Sequence, residues 1–235
     1  MGSPGDRPPG PPEGAPVGRR LVLGLLGLGA AGVVVGSTVQ DRLSSWLGKI
    51  EIHDPTGLTA LVPLGDSFRY YSVTGGVPTV ADVAYRLTVS GEVARASSYS
   101  LAELNALPQT SFVQEFQCVT GWRVPDVAWS GVPLSALLER AHPTEQATAV
   151  RFTSFDGTYT ESLTMAEAMR PGVIVALQML GAQVTHDHGG PVRMYCSGMY
   201  GYKSTKWLSG IELTTTEIPG YWEPRGYPID GTIEG

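Results

Sequence analysis

Glu115-Phe116-Gln117-Cys118-Val119-Thr120-Gly121-Trp122-Arg123 is the stretch on which the fold turns. From 111 to 119 the residues alternate. Phe112, Gln114, Phe116 and Cys118 fall on one face, and Val113, Glu115, Gln117 and Val119 on the other. A period of two predicts a strand, and Gly121 predicts the turn that ends it. Cys118 then stands near a strand end, where a rigid sheet presents catalytic groups on its loops. A lone cysteine so placed reads either as a small buried hydrophobe or as a thiolate ligand. For a lone cysteine the buried reading is the default, and the ligand reading needs support from elsewhere in the chain.

Working outward, the same logic yields an alternation of strands and short helices. Phe68-Arg69-Tyr70-Tyr71-Ser72-Val73 reads as a short aromatic strand, and Tyr85, Leu87 and Val89 mark another. Ser100 with Glu103, and Thr164 with Glu167, are capping-box pairs opening short helices. Pro133 suits the first turn of a helix bearing Leu134, Leu137 and Leu138. Val150, Phe152 and Ser154, then Asp156-Gly157, then Tyr159 and Glu161 form a hairpin pattern, with Asp156 a turn residue. The apolar run 173–180 is a buried strand or helix, and 192–196 and 208–213 are strands. Tyr221-Trp222-Glu223-Pro224 reads as a strap closing over the domain. Short helices among many strands predict an α+β domain with a mixed sheet.

The 235 residues are 42% hydrophobic, enough for one sizeable core, and the net charge of −6 does not indicate a nucleic-acid footprint. Two cysteines make no disulfide framework. Cys118 and Cys196 would pair only if Cys118 holds no metal and the domain is exported. Of 16 basic residues three are lysines, and Lys203 and Lys206 lie close together. Nothing repeats internally.

Residues 1–18 are rich in Pro and Gly and predict a disordered tail. Arg19-Arg20 precede the uncharged stretch 21–39. As a helix this stretch would span roughly 28 Å at about 1.5 Å per residue, close to a hydrocarbon core of ~30 Å. The pattern 19–39 resembles a twin-arginine export signal or a membrane anchor, with the chain from Gln40 onward on the outer face of the cytoplasmic membrane. Residues 40–63 read as a tether and 64–235 as the folded domain.

A second informative stretch is His186-Asp187-His188-Gly189-Gly190-Pro191-Val192-Arg193, continued by Tyr200-Gly201-Tyr202-Lys203-Ser204-Thr205-Lys206-Trp207-Leu208. The glycines permit tight turns and close backbone approach, and Arg193, Lys203 and Lys206 add cations. Together they predict an anion site of phosphate type rather than a solvated basic loop. His186 and His188 lack further ligands at zinc spacing. A hydrogen bond from His188 to a bound cofactor is the better reading.

The motifs Phe116-Gln117-Cys118-Val119-Thr120-Gly121-Trp122, Trp129-Ser130-Gly131-Val132-Pro133-Leu134, His188-Gly189-Gly190-Pro191-Val192-Arg193 and Tyr200 through Leu208 together resemble the sulfite oxidase family of molybdopterin enzymes. The similarity runs from Phe68 to the C-terminus and is greatest to the small single-domain bacterial members, which include catalytic subunits of protein-methionine-sulfoxide reductases. It implies one molybdenum per chain, held by one pyranopterin dithiolene and by Cys118. Soft sulfur ligands suit such a centre. It places Arg193, Gly201, Tyr202 and Lys203 on the cofactor's phosphate and pterin, with His188, Ser154, Arg69 and Tyr70 as further contacts. Arg123 would draw in an oxyanion substrate, and Trp122 would pack beside the metal pocket. The implied activity is two-electron oxygen-atom transfer on a small sulfur- or nitrogen-oxide substrate by a monomer. Electrons would pass to or from a separate carrier, since no haem motif is present. Cys196 matches no role. The alternative is a non-catalytic, membrane-tethered binding domain on the same fold. The coincidence of Cys118, Arg193 and Lys203 argues against it.

Overall fold

A computed structural model describes Phe68, Ser72, Val73 and residues 75–233. The expected tail, signal or anchor and tether lie outside the described residues, as do Arg69 and Tyr70. No helix among the described residues is long and apolar enough to cross a membrane.

Two sheets dominate. The first contains β1 (Arg86–Gly91), β2 (Ser97–Ser100), β5 (Ala149–Ser154), β6 (Thr160–Thr164) and β10 (Leu208–Thr214), in the order β2-β1-β10-β5-β6. β1 runs parallel to β10 and the other pairs are antiparallel, so this sheet is mixed, as the sequence predicts. The second contains β3 (Thr110–Gln117), β4 (Arg123–Pro133), β7 (Val173–Met179) and β8 (Ala182–Gln183) in that order, with β9 (Arg193–Cys196) also paired to β7.

The helices are short: α1 (Leu101–Ala106), α2 (Leu134–Ala141) and α3 (Met165–Ala168). At α1 the Glu103 N–H donates to Ser100 Oγ at 3.2 Å, and the Ser100 N–H donates to Glu103 Oε2 at 2.7 Å. Such a cap contributes about 1 kcal/mol. Thr164 and Glu167 cap α3 in the same way. α2 buries Leu134, Leu137, Leu138 and Ala141, and Pro133 sits at its N-cap, one place earlier than predicted.

Strand β7 resolves the ambiguity of the apolar run. Val173, Val175 and Leu177 enter the main core between the sheets and helices. Ile174, Ala176 and Met179 enter a second, aromatic cluster with Phe116, Trp129 and Tyr195. Both faces are buried, so the strand needs no polar alternation.

Two expectations are corrected. Phe68, Ser72 and Val73, the described part of the expected aromatic strand, carry no strand pairing. β3 stops at Gln117, one residue before Cys118, and its register against β4 shifts between Gln114 and Phe116. The extra residue lies in β4, where Asp126 adopts φ 54°. A bulge of this kind bends its strand and re-aims the neighbouring residues.

Candidate active site

Cys118 is set by a turn rather than by the strand. Its N–H donates to the Trp122 carbonyl at 2.8 Å, and the Gly121 N–H donates back to the Cys118 carbonyl at 3.0 Å. Gly121 has φ 96°, which glycine adopts without a steric penalty. The half-buried sulfur accepts a hydrogen bond from Thr120 Oγ1 at 3.2 Å.

Beside it stands an aromatic wall. Phe116 and Trp122 lie 5.8 Å apart between ring centres. Phe68 packs edge-on to Trp122 at 6.5 Å, to Trp129 at 6.4 Å and to the His188 ring at 5.2 Å. Gly201 closes the packing, since a Cβ there would collide with the Phe116 ring.

Arg193 lies within this wall because β9 alternates. Met194 and Cys196 face the main core, while Arg193 and Tyr195 face the other side. The guanidinium lies 5.4 Å from the Phe116 ring centre and 5.5 Å from that of Trp129. It donates from Nη1 to the His188 carbonyl at 2.6 Å and from Nη2 to the Ser204 carbonyl at 3.3 Å. It is 1% exposed. Among the described residues, no carboxylate lies within ion-pair distance of it. Burial pushes its pKa down to about 10. Lys206 is half-buried nearby; desolvation first, then the charge of Arg193, pushes its ammonium down to about 7, against the pull of Asp187. Thr205 Oγ1 and Trp129 Nε1 are buried without hydrogen-bond partners among the described residues. A buried cation with no counter-charge is costly. An anion rich in acceptor oxygens fits this donor set.

The other expected contacts are placed differently. The resemblance puts Lys203 on the phosphate, but its ammonium is enclosed by Glu161 Oε1 at 2.9 Å and Glu223 Oε1 at 3.1 Å, and also donates to the Ser162 carbonyl. Two carboxylates already neutralise it. The Tyr202 hydroxyl turns away to the Pro228 carbonyl at 2.8 Å. Ser154 Oγ bonds the Asp156 carboxylate and accepts the Tyr159 N–H at 3.1 Å, which closes the β5–β6 turn. Arg123 is exposed, 4.0 Å from Glu115. His186 Nε2 meets the Val80 backbone, and no group of three or more metal-ligating side chains occurs among the described residues. Cys118 and Cys196 are both free, and burial pushes the Cys196 thiol up to about 12. Sequence reasoning includes Lys206 in the expected anion site but does not single out Thr205 or Trp129 as site residues, although both stand within the quoted motifs.

Residues 74–222 match the family described as the oxidoreductase molybdopterin binding domain. The oxidoreductase YuiH of Bacillus subtilis is 33% identical over 159 residues, covering 67% of this chain and 80% of that protein. A putative protein-methionine-sulfoxide reductase subunit, YedZ1 of Azospira oryzae, is 34% identical over 81% of this chain and 72% of its own length. The protein-methionine-sulfoxide reductase catalytic subunit MsrP of Campylobacter jejuni is 27% identical, over 84% and 74%. Among solved structures, the sulfane dehydrogenase SoxCD of Paracoccus pantotrophus shares the fold, with a TM-score of 0.57 over 61% of this chain and 41% of that one at 20% identity. With a family match across most of the folded residues, the chain belongs to the sulfite oxidase family of molybdopterin-dependent oxidoreductases.

Proposed function

We propose that this enzyme reduces sulfoxides, with protein-bound methionine sulfoxide as the first candidate substrate. The observation that bears most on the site is the buried Arg193 cation, with no carboxylate in ion-pair distance among the described residues, set in the same aromatic wall that flanks the Cys118 turn. The donor set fits the family's cofactor. Cys118 is the thiolate ligand to molybdenum, and Arg193 with Lys206 receives the pterin's phosphate. Thr205 Oγ1 is a further donor to it. His188 stands at the edge of the same pocket through its contact with Phe68.

The bound cofactor supplies two-electron oxygen-atom transfer. The chain's own residues orient and shield it. Trp122 and Phe68, packed edge to face, would shield one side of it, and Thr120 donates to the Cys118 sulfur that would hold the metal. Reduction of a sulfoxide consumes two electrons and two protons and yields a thioether and water, so a separate electron carrier is part of the proposal. Support for the substrate class comes from the reductases named among the relatives. Export by the twin-arginine route, with residues 21–39 as signal or anchor, belongs to the same reading and rests on Arg19-Arg20 and the uncharged run.

Elemental analysis of full-length protein from a host that makes the cofactor tests the site. About one molybdenum per chain in the wild type, with loss in Cys118→Ala, is the expected result. A folded wild type without molybdenum refutes it. Turnover of methionine sulfoxide but not sulfite, with a reduced dye as donor, supports the reductase direction, and the opposite preference overturns it.

A further inference from the structure

The Glu161–Lys203–Glu223 cluster lies outside the pocket just described. Its side chains are 0%, 1% and 5% exposed, and two carboxyl groups face one ammonium. Fully ionised, the cluster would hold a net negative charge away from water. Glu161 Oε2 and Glu223 Oε2 are buried without a hydrogen-bond partner among the described residues, while both Oε1 atoms meet the same Lys203 ammonium. One proton shared between the two carboxyls removes both difficulties.

The cluster joins three segments, the first of them β6, which carries Glu161. Glu223 lies on the C-terminal 3-10 turn Glu223–Arg225, and Lys203 ends the turn Gly201–Lys203. Around them the C-terminal segment is laced to the same turn. The Tyr200 N–H donates to the Gly231 carbonyl at 2.8 Å, and the Ile233 N–H to the Gly198 carbonyl at 3.0 Å. Gly231 packs so tightly on the Lys203 stem that a Cβ would not fit. Immediately after that turn come Ser204, whose carbonyl holds Arg193, then Thr205 and Lys206.

We propose that Glu161, Lys203 and Glu223 form a proton-bearing clamp, in which one proton held between the two carboxyls fastens the C-terminal strap to β6 and, through Lys203, to the turn leading towards Arg193 and Lys206, so that opening the strap releases that proton. The clamp stands on its own geometry; its consequence for cofactor retention rests on the phosphate reading of that pocket.

The surrounding groups leave Glu161 as the titrating member. Burial holds its pKa up at about 8, with the Glu223 hydrogen bond adding to the effect and Lys203 opposing it. Tyr159 from the β5–β6 hairpin, Cys196 from β9 and Tyr202 from the turn are all pushed upward by burial and remain neutral near pH 8. The two carboxylates keep the Lys203 pKa raised. Glu223 and Asp230 are lowered, by the Glu161 and Thr232 hydrogen bonds respectively, and Glu217 is raised by desolvation. The closed clamp therefore holds a proton that an opened, hydrated Glu161 gives up above its ordinary carboxylate range. Linkage then makes opening about tenfold easier per pH unit from pH 5 to 8, with a plateau above.

Hydrogen exchange of the 221–232 amides on the full chain, corrected for intrinsic rates, tests this. Protection should fall about tenfold per pH unit up to pH 8 and then level off. Glu161→Gln, which keeps shape and leaves Lys203 paired with Glu223, should flatten the slope. Glu223→Gln should also flatten it, which covers a failure of the first variant to fold. A flat wild-type profile, or an unchanged slope in a folded variant, overturns the clamp. Molybdenum retained after gel filtration across the same pH range separates the two readings. Protein that never binds molybdenum but shows the slope refutes the cofactor site and upholds the clamp; loaded protein with a flat profile does the reverse.

Discussion

Arg193 Nη1 donates to the His188 carbonyl oxygen at 2.6 Å, so the cation most deeply placed in the site is aimed by backbone and not by a carboxylate. The backbone gets there through Gly189, whose φ of 95° and close approach to the Lys206 side chain exclude a Cβ. One residue pair thus ties the glycine turn to the cationic pocket. Replacing Arg193 by Met should cost the cofactor-free chain less than about 2 kcal/mol, because removal of an uncompensated buried charge offsets the hydrogen bonds lost to the His188, Met194 and Ser204 carbonyls. Chemical denaturation of molybdenum-free protein checks this. The same variant should fail to retain molybdenum.

Lys206 gives the cofactor-free protein a pH signature. Its folded pKa lies near 7, below the ordinary lysine value, so the unfolded chain binds the extra proton between about pH 7 and 10. Stability from this group is present at high pH and is lost as pH falls through that window. Lys206→Met should abolish the slope in denaturation curves taken from pH 8.5 to 10. A bound phosphate should flatten it in the loaded wild type.

Lys203 and Lys206 should separate cleanly by mutation. Lys203→Met leaves two carboxyl groups buried without their cation and should destabilise the fold by about 3–5 kcal/mol. Lys206→Met should lose cofactor without such a loss of stability. Thermal unfolding paired with molybdenum content distinguishes the two.

Arg123 is 67% exposed in its side chain, and its contact with Glu115 at 4.0 Å contributes little. Arg123→Ala should unfold within about 0.5 kcal/mol of the wild type. For an uncharged sulfoxide substrate its KM should change less than about twofold, read by steady-state kinetics.

Much of this architecture is written in local patterns. Leu87 and Val89, the Ser100–Glu103 cap and the Asp156-Gly157 turn each arise from neighbours in sequence, and each is in place. The division of labour between Lys203 and Lys206 was not legible. Glu161 and Glu223, which take up Lys203, stand 42 and 20 positions away from it. Only tertiary folding decides which lysine they meet. The end of β3 was also hidden, because the register shift that detaches Cys118 from the strand arises in β4 at Asp126. Thr205 and Trp129 lie within the motifs, but nothing marked them as donors; an orphaned buried donor exists only once its surroundings are built.

The parallel pairing of β1 with β10 sets Thr88 opposite Gly210 and Val89 opposite Ile211, about 120 positions along the chain. A ribosome adding about 5–20 residues per second needs several seconds to make the second strand after the first. Until then the first sheet lacks its central strand, β10, which joins β1 to β5. Closure of the first sheet therefore waits for the chain to be made as far as Thr214, and its folding cannot be finished strand by strand as the chain emerges.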